Sequence, residues 1–173
     1  MNAQMTEHAV VGVGNQIMRD DGLGAAAIEE LREQGLDEQP AVSLNQAGTT
    51  AFFALEAIDG ADRAVVVDAI RVPGSEPGDL HRMVYSEGRF EDVDPQIHMH
   101  DFSFVDALEA GAQAYDLPEE IVVLGMTPAA TTAGLGLSET VAQRLPALVE
   151  LVREELSTGG IDLEAPPAEQ PSP

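Results

Sequence analysis

The chain contains no cysteine and no lysine. The first absence removes disulfides, thiolate metal sites and thiol nucleophiles together. The second leaves arginine as the sole basic residue: Lys and Arg total 8 against 31 Asp and Glu, a net charge of −23. Such a surface repels phosphate backbones and argues against a nucleic-acid partner. Aromatic residues make up only 4%, so the core falls to Val, Leu, Ile, Ala and Met. No apolar run approaches the roughly 18 residues that span a bilayer. The opening MNAQMTEHAV lacks the basic and apolar segments of a signal peptide. The expectation is a soluble, cytoplasmic protein with no membrane partner. Missing Lys beside excess acid points to a halophilic source, because molar salt, with a Debye length of about 3 Å, screens self-repulsion.

What is present suits one domain. Hydrophobic residues are 44% of 173, enough for a single core. Strand patterns occupy 8–14, 40–46, 63–69, 79–86 and 120–126. Helical periodicity occupies 23–34, 50–58, 101–115 and 138–156, the last opening on Ser138 as N-cap. The acidic stretch 87–97 reads as an irregular loop. This alternation predicts an α/β fold: three αβα layers around a twisted, mostly parallel five-stranded sheet. The domain is expected over 1–156. The Gly-, Pro- and Glu-rich 157–173 is expected to be a disordered tail.

The stretch VVGVGNQIMRDDGLG, 10–24, organises the rest. It reads as a buried strand, a glycine-broken loop and the start of a helix, with Asp20 and Asp21 between. For Asp20 the simplest role is to favour the nearby helix N-terminus. For Asp21 a helix-terminus role and a functional role stand level. Asp68 ends the run AVVVDA and would be costly to bury unpaired. It could cap a turn, pair with Arg71, or serve a site at the carboxyl edge of the sheet. His98 and His100 share a face if extended, and carboxylates with imidazole suit a divalent first-row ion. The GVGN loop lacks the third glycine of a dinucleotide fingerprint. No G-x-S-x-G nucleophile elbow is present.

Four segments carry a resemblance: GVGNQIMRDDGLG, VVVDAI, HDFSFVDAL and LGMTPAATTAGLGLSETV. In order and spacing the chain resembles the NiFe hydrogenase maturation endopeptidases over about residues 8–155. The resemblance implies a five-stranded α/β fold and removal of a C-terminal peptide from the hydrogenase large-subunit precursor after nickel insertion. It implies that nickel arrives in the precursor and is contacted by the enzyme. By motif register the metal-contacting residues are Asp21, Asp68 and His100, with Asp21 and Asp68 as the catalytic aspartyl candidates. His100 is preferred to His98 because HDFSFVDAL matches the family's spacing from His to Asp106. The partner implied is that precursor, and the enzyme is read as a monomer. Where the family often has an acid after its second strand, this chain has Gln46. The alternative implied is a non-proteolytic, metal-binding or chaperone-like relative in hydrogenase assembly.

Overall fold

The computed structural model describes residues 7–91 and 103–163, for 103–106 the backbone alone. Strand β1 (His8–Val13) is buried along its whole length. Its side chains alternate between two apolar clusters. Ala9, Val11 and Val13 face one, and Val10 faces the other. Helices α2 (Ala51–Ile58) and α3 (Ser103–Gly111) cover the first face. Helices α1 (Leu23–Glu33) and α4 (Glu139–Thr158) cover the second. A strand buried on both faces needs a continuous apolar run, which is why β1, β3 (Arg63–Ala69) and β6 (Glu120–Met126) are legible in sequence. Val66 and Val67 of β3 are fully buried, each contributing about 1.5–3 kcal/mol.

The sheet has six strands in the order β2-β1-β3-β6-β4-β5, one more than the sequence suggests. β2 (Val42–Gly48), β1, β3 and β6 run parallel. β4 (Leu80–Ser86) is antiparallel to β6, and the added β5 (Arg89–Glu91) is antiparallel to β4. β5 lies inside the stretch expected to be a loop. Its three residues are too few to show a period. What marks it is the turn: Glu87 and Gly88 have φ of 53° and 80°, the two left-handed positions of a tight hairpin. Phe90 then packs edge-on against Tyr85, with ring centroids 5.1 Å apart. β2 sits two residues later than its apolar signal, because pairing with β1 extends it to Gly48.

The start of α4 follows expectation, with Ser138 Oγ accepting from Val141 N. Its end does not: the helix runs to Thr158, and Ile161 and Leu163 pack against the core. Seven residues of the expected tail therefore belong to the packed chain, because Ile161 and Leu163 supply apolar surface that composition alone averages away.

The chain order creates a reversal at β1. It leaves β1 through α1 to reach β2 on one side, then crosses back through α2 to β3 on the other. The crevice beyond the carboxyl ends of β1 and β3 is therefore the switch point of this sheet, where α/β folds hold ligands.

Candidate functional site

Two glycines set the approach to that crevice. A Cβ on Gly12 would collide with the carbonyl oxygen of Gly24. One on Gly24 would lie 2.5 Å from Val13 N and 2.7 Å from Val67 O. The first turn of α1 thus rests backbone-to-backbone on β1 and β3, a contact that only glycine permits. Between them runs the loop carrying Asp20 and Asp21, a 3-10 turn over Arg19–Gly22.

The two acids do different things. Asp20 is fully buried. Its Oδ2 accepts from Ala129 N and Ala130 N at 2.8 Å and from Ser138 Oγ at 2.8 Å; Oδ1 accepts from Ser138 N at 2.7 Å. Burial alone would raise its pKa. The bonds from Ala130, Ser138 and Ala129 outweigh burial and hold it below the usual carboxylate value. The role is structural, as expected, but the helix it serves is α4 rather than its own. Asp21 is half-buried, and its Oδ2 accepts from Asn15 N at 2.9 Å. It does not cap α1, whose N-cap Gly22 has no side-chain cap bond.

Asp68 closes β3 with 9% of its surface exposed. Oδ1 accepts from Ala69 N at 2.8 Å. Arg71, one partner open to it on sequence, instead donates to Thr131 Oγ1 at 2.7 Å. Burial first, and the negative charge of Asp21 second, push Asp68 up to about 8 against the pull of the Ala69 amide. The structure therefore brings Asp21 and Asp68 to one rim, close enough for the charge of Asp21 to act on Asp68. A buried carboxylate that keeps its proton beside a second carboxylate fits a site for a cation, so the donor chemistry of this pair suits a divalent ion. His98 and His100 lie outside the described residues, as does the side chain of Asp106. Among the described residues no group of three or more His, Asp or Glu converges for a metal.

Gln46 falls beside this rim. Its Oε1 accepts from Gln16 Nε2 at 3.1 Å, and its Nε2 donates to Glu29 Oε1 at 2.9 Å. An acid here would face Glu29 directly, so glutamine is the residue that this neighbour tolerates.

One group of side chains was missed on sequence. His81 Nε2 lies 2.7 Å from Thr127 Oγ1, which lies 2.7 Å from Ser75 Oγ. Proton counting excludes a nucleophile triad. Ser75 donates to the Val72 carbonyl at 2.6 Å, so Thr127 must donate to Ser75, and His81 must donate to Thr127. An imidazole donating to a hydroxyl cannot take its proton. The array straps the β3–β4 loop to the end of β6. No local spacing could have revealed it, since its members lie 46 and 52 positions apart.

Comparison with known proteins agrees with this architecture. A family described as "Hydrogenase maturation protease" matches residues 25–155. The chain belongs to the hydrogenase maturation proteases. It is accordingly a hydrolase of the endopeptidase kind. The hydrogenase 2 maturation protease of Escherichia coli K12 is 27% identical over 157 residues, covering 88% of this chain and 92% of that protein. The hydrogenase expression/formation protein HupD of Thiocapsa roseopersicina is 27% identical over 157 residues, covering 90% of this chain and 70% of its own. Among solved structures, the E. coli hydrogenase maturating endopeptidase HybD superposes with a TM-score of 0.74 at 22% identity, over 95% of this chain and 99% of that one. The hydrogenase 2 maturation peptidase of a Thaumarchaeota archaeon gives 0.65 at 26%, over 90% and 99%. In this protease the sheet has the six strands described above.

Proposed function

We propose that this protease removes the C-terminal peptide of a NiFe hydrogenase large-subunit precursor after nickel insertion, with Asp21 and Asp68 as its aspartyl working pair. The observation that carries the reading is the coupling of these two carboxylates at the switch point of the sheet. His100 is the third contact proposed for the precursor's nickel. The ion, entering as part of the substrate, would supply polarisation of the scissile carbonyl or of a water. Asp68 holds a proton near neutral pH and would yield it to solvent as positive charge arrives. Either aspartate can then accept a proton from the attacking water.

Incubation with nickel-loaded precursor should shorten it by the mass of its C-terminal peptide. Asp21→Ala, Asp68→Ala and His100→Ala should each abolish this, and precursor without nickel should stay intact. Tight stoichiometric nickel binding by the isolated protease would contradict the reading. We further propose a cytoplasmic, monomeric protein of a halophile. Its unfolding midpoint should climb steadily from low to molar KCl, and an unchanged midpoint would count against that origin.

A further inference from the structure

The chain carries 31 acids to 8 arginines. Arg32, Arg63 and Arg82 pair with carboxylates. Arg19, Arg71, Arg89 and Arg144 are exposed and, among the described residues, form no ion pair. Of these four, Arg19 and Arg71 sit on the rim described above. Arg71 follows Asp68 at the end of β3, and Arg19 precedes Asp21 in the loop after β1. Between them passes the β6–α4 loop, and each arginine is held to it. Arg71 Nη2 donates to the neutral Thr131 hydroxyl at 2.7 Å, which uses one of its five N–H donors and none of its charge. Arg19 N donates to Gly134 O at 3.0 Å. Its guanidinium lies over Gly134, where a Cβ would stand 3.0 Å from Nε. Arg19 also has a left-handed φ of 45°. That conformation costs about 1 kcal/mol, which glycine would escape. The backbone thus gives no reason for a long side chain there.

Two positive charges without an ion pair among the described residues, on the same rim as the carboxylate pair, do not favour a bare cation there. They suit a ligand that brings an anionic group alongside its positive charge. We propose that Arg71 and Arg19 form a carboxylate-reading pair, which orients the C-terminal segment of the precursor by an acidic group within it. The inference rests on the reading that this rim cuts such a segment. The planar fork of arginine matches a carboxylate through two parallel bonds. The need for it follows from the overall charge: at −23, the protein's net field repels an acidic peptide, so local positive groups are needed to receive one. The carboxylate can be the chain terminus or an Asp or Glu side chain. These arginines are positioning residues and take no part in bond breaking.

The test uses the full-length protein with two readouts. One is fluorescence anisotropy of a fluorescein-labelled peptide spanning the cut and the C-terminal extension. The other is KM and kcat for the nickel-loaded precursor. Arg71→Gln and Arg19→Gln should each raise Kd and KM about tenfold, with kcat within about twofold. Arg71→Lys should recover part of the loss. Arg89→Gln, on the edge strand, should change neither. Thr131→Val, which frees Arg71 but keeps its charge, should give a smaller rise. Amidating the peptide terminus, or converting its acids to amides one at a time, should reproduce the loss for the group that is read. On that peptide Arg71→Gln should add nothing further, and the arm that behaves so identifies the source. Wild-type behaviour of both Gln variants, or an undiminished loss on the neutralised peptides, would overturn the proposal. Cleavage that ignores both arginines overturns this proposal alone. Arginine-dependent peptide binding without cleavage by the wild type overturns the functional reading and leaves this one standing. Absence of both overturns both.

Discussion

Replacing Asp20 by asparagine tests the claim that one carboxylate holds the β6–α4 loop in place. The acid accepts four bonds, three at Oδ2 and one at Oδ1. Asparagine offers one acceptor oxygen and one amide nitrogen. With the oxygen at the Oδ2 position, the nitrogen confronts Ser138 N as donor against donor. With the amide flipped, the clash moves to Ala129 N and Ala130 N. Either way a sheltered N–H loses its partner, and the remaining bonds lose their charge assistance. A loss of this kind costs about 1–3 kcal/mol. For a chain of this length each kcal/mol lowers the melting temperature by about 2–4 °C, so a drop of about 4–8 °C is expected for a central cost of ~2 kcal/mol. The assay is thermal unfolding by circular dichroism at pH 7 and fixed salt. The pH dependence carries a definite sign. The pKa of Asp20 is lowered from 3.8 by its bonds, so the ion contributes fully above that value and fades as pH falls through the depressed one. The gap between wild type and Asp20→Asn should therefore be constant from about pH 5 upward and shrink in acid. Coincident melts at pH 7 would refute the clamp, and a gap that widened in acid would refute its electrostatic origin.

Asp68→Asn should abolish cleavage yet stabilise the fold. A folded pKa raised from 3.8 to about 8 means that wild-type stability is fully present below 3.8 and declines as pH rises to 8, so the variant's advantage in melts should grow across that window, reaching several kcal/mol by order of magnitude. Gln46→Glu should exchange a bond to Glu29 for a repulsion between exposed groups, lowering stability by at most about 1 kcal/mol. That deficit should vanish in molar KCl, and its persistence there would point to lost packing instead. Gly24→Ala would force a methyl within 2.5 Å of Val13 N, and a cost above about 3 kcal/mol should appear as loss of soluble folded protein. Normal expression and melting would mean that α1 can lift off the sheet.

The features legible in sequence share a physical cause. β1, β3 and β6 are buried on both faces, so burial writes itself as an unbroken apolar run. Ser138 is readable because a cap bond spans three residues. Asp68 stands out because a carboxylate at the end of a valine run has no cheap resting state. The features that escaped depend on partners far along the chain. Asp20 gave no hint that its partners lie 109 to 118 residues away. β5 exists because of a two-residue turn and one aromatic contact, neither of which alters hydropathy. The proton kept by Asp68 follows first from its burial and then from the neighbourhood of Asp21, and the second of these only the sheet order creates.

The strap formed by His81, Thr127 and Ser75 has a consequence for how the rim responds to acid. Burial lowers the pKa of His81, opposed by the charge of Asp79, yet the strap is indifferent to that titration. Nε2 carries a hydrogen in the neutral tautomer required here and carries it again in the cation. Acidification adds its proton at Nδ1, on the far side of the ring. The β3–β4 loop thus stays fastened in either ionisation state, and acid has no handle there by which to unlatch the crevice.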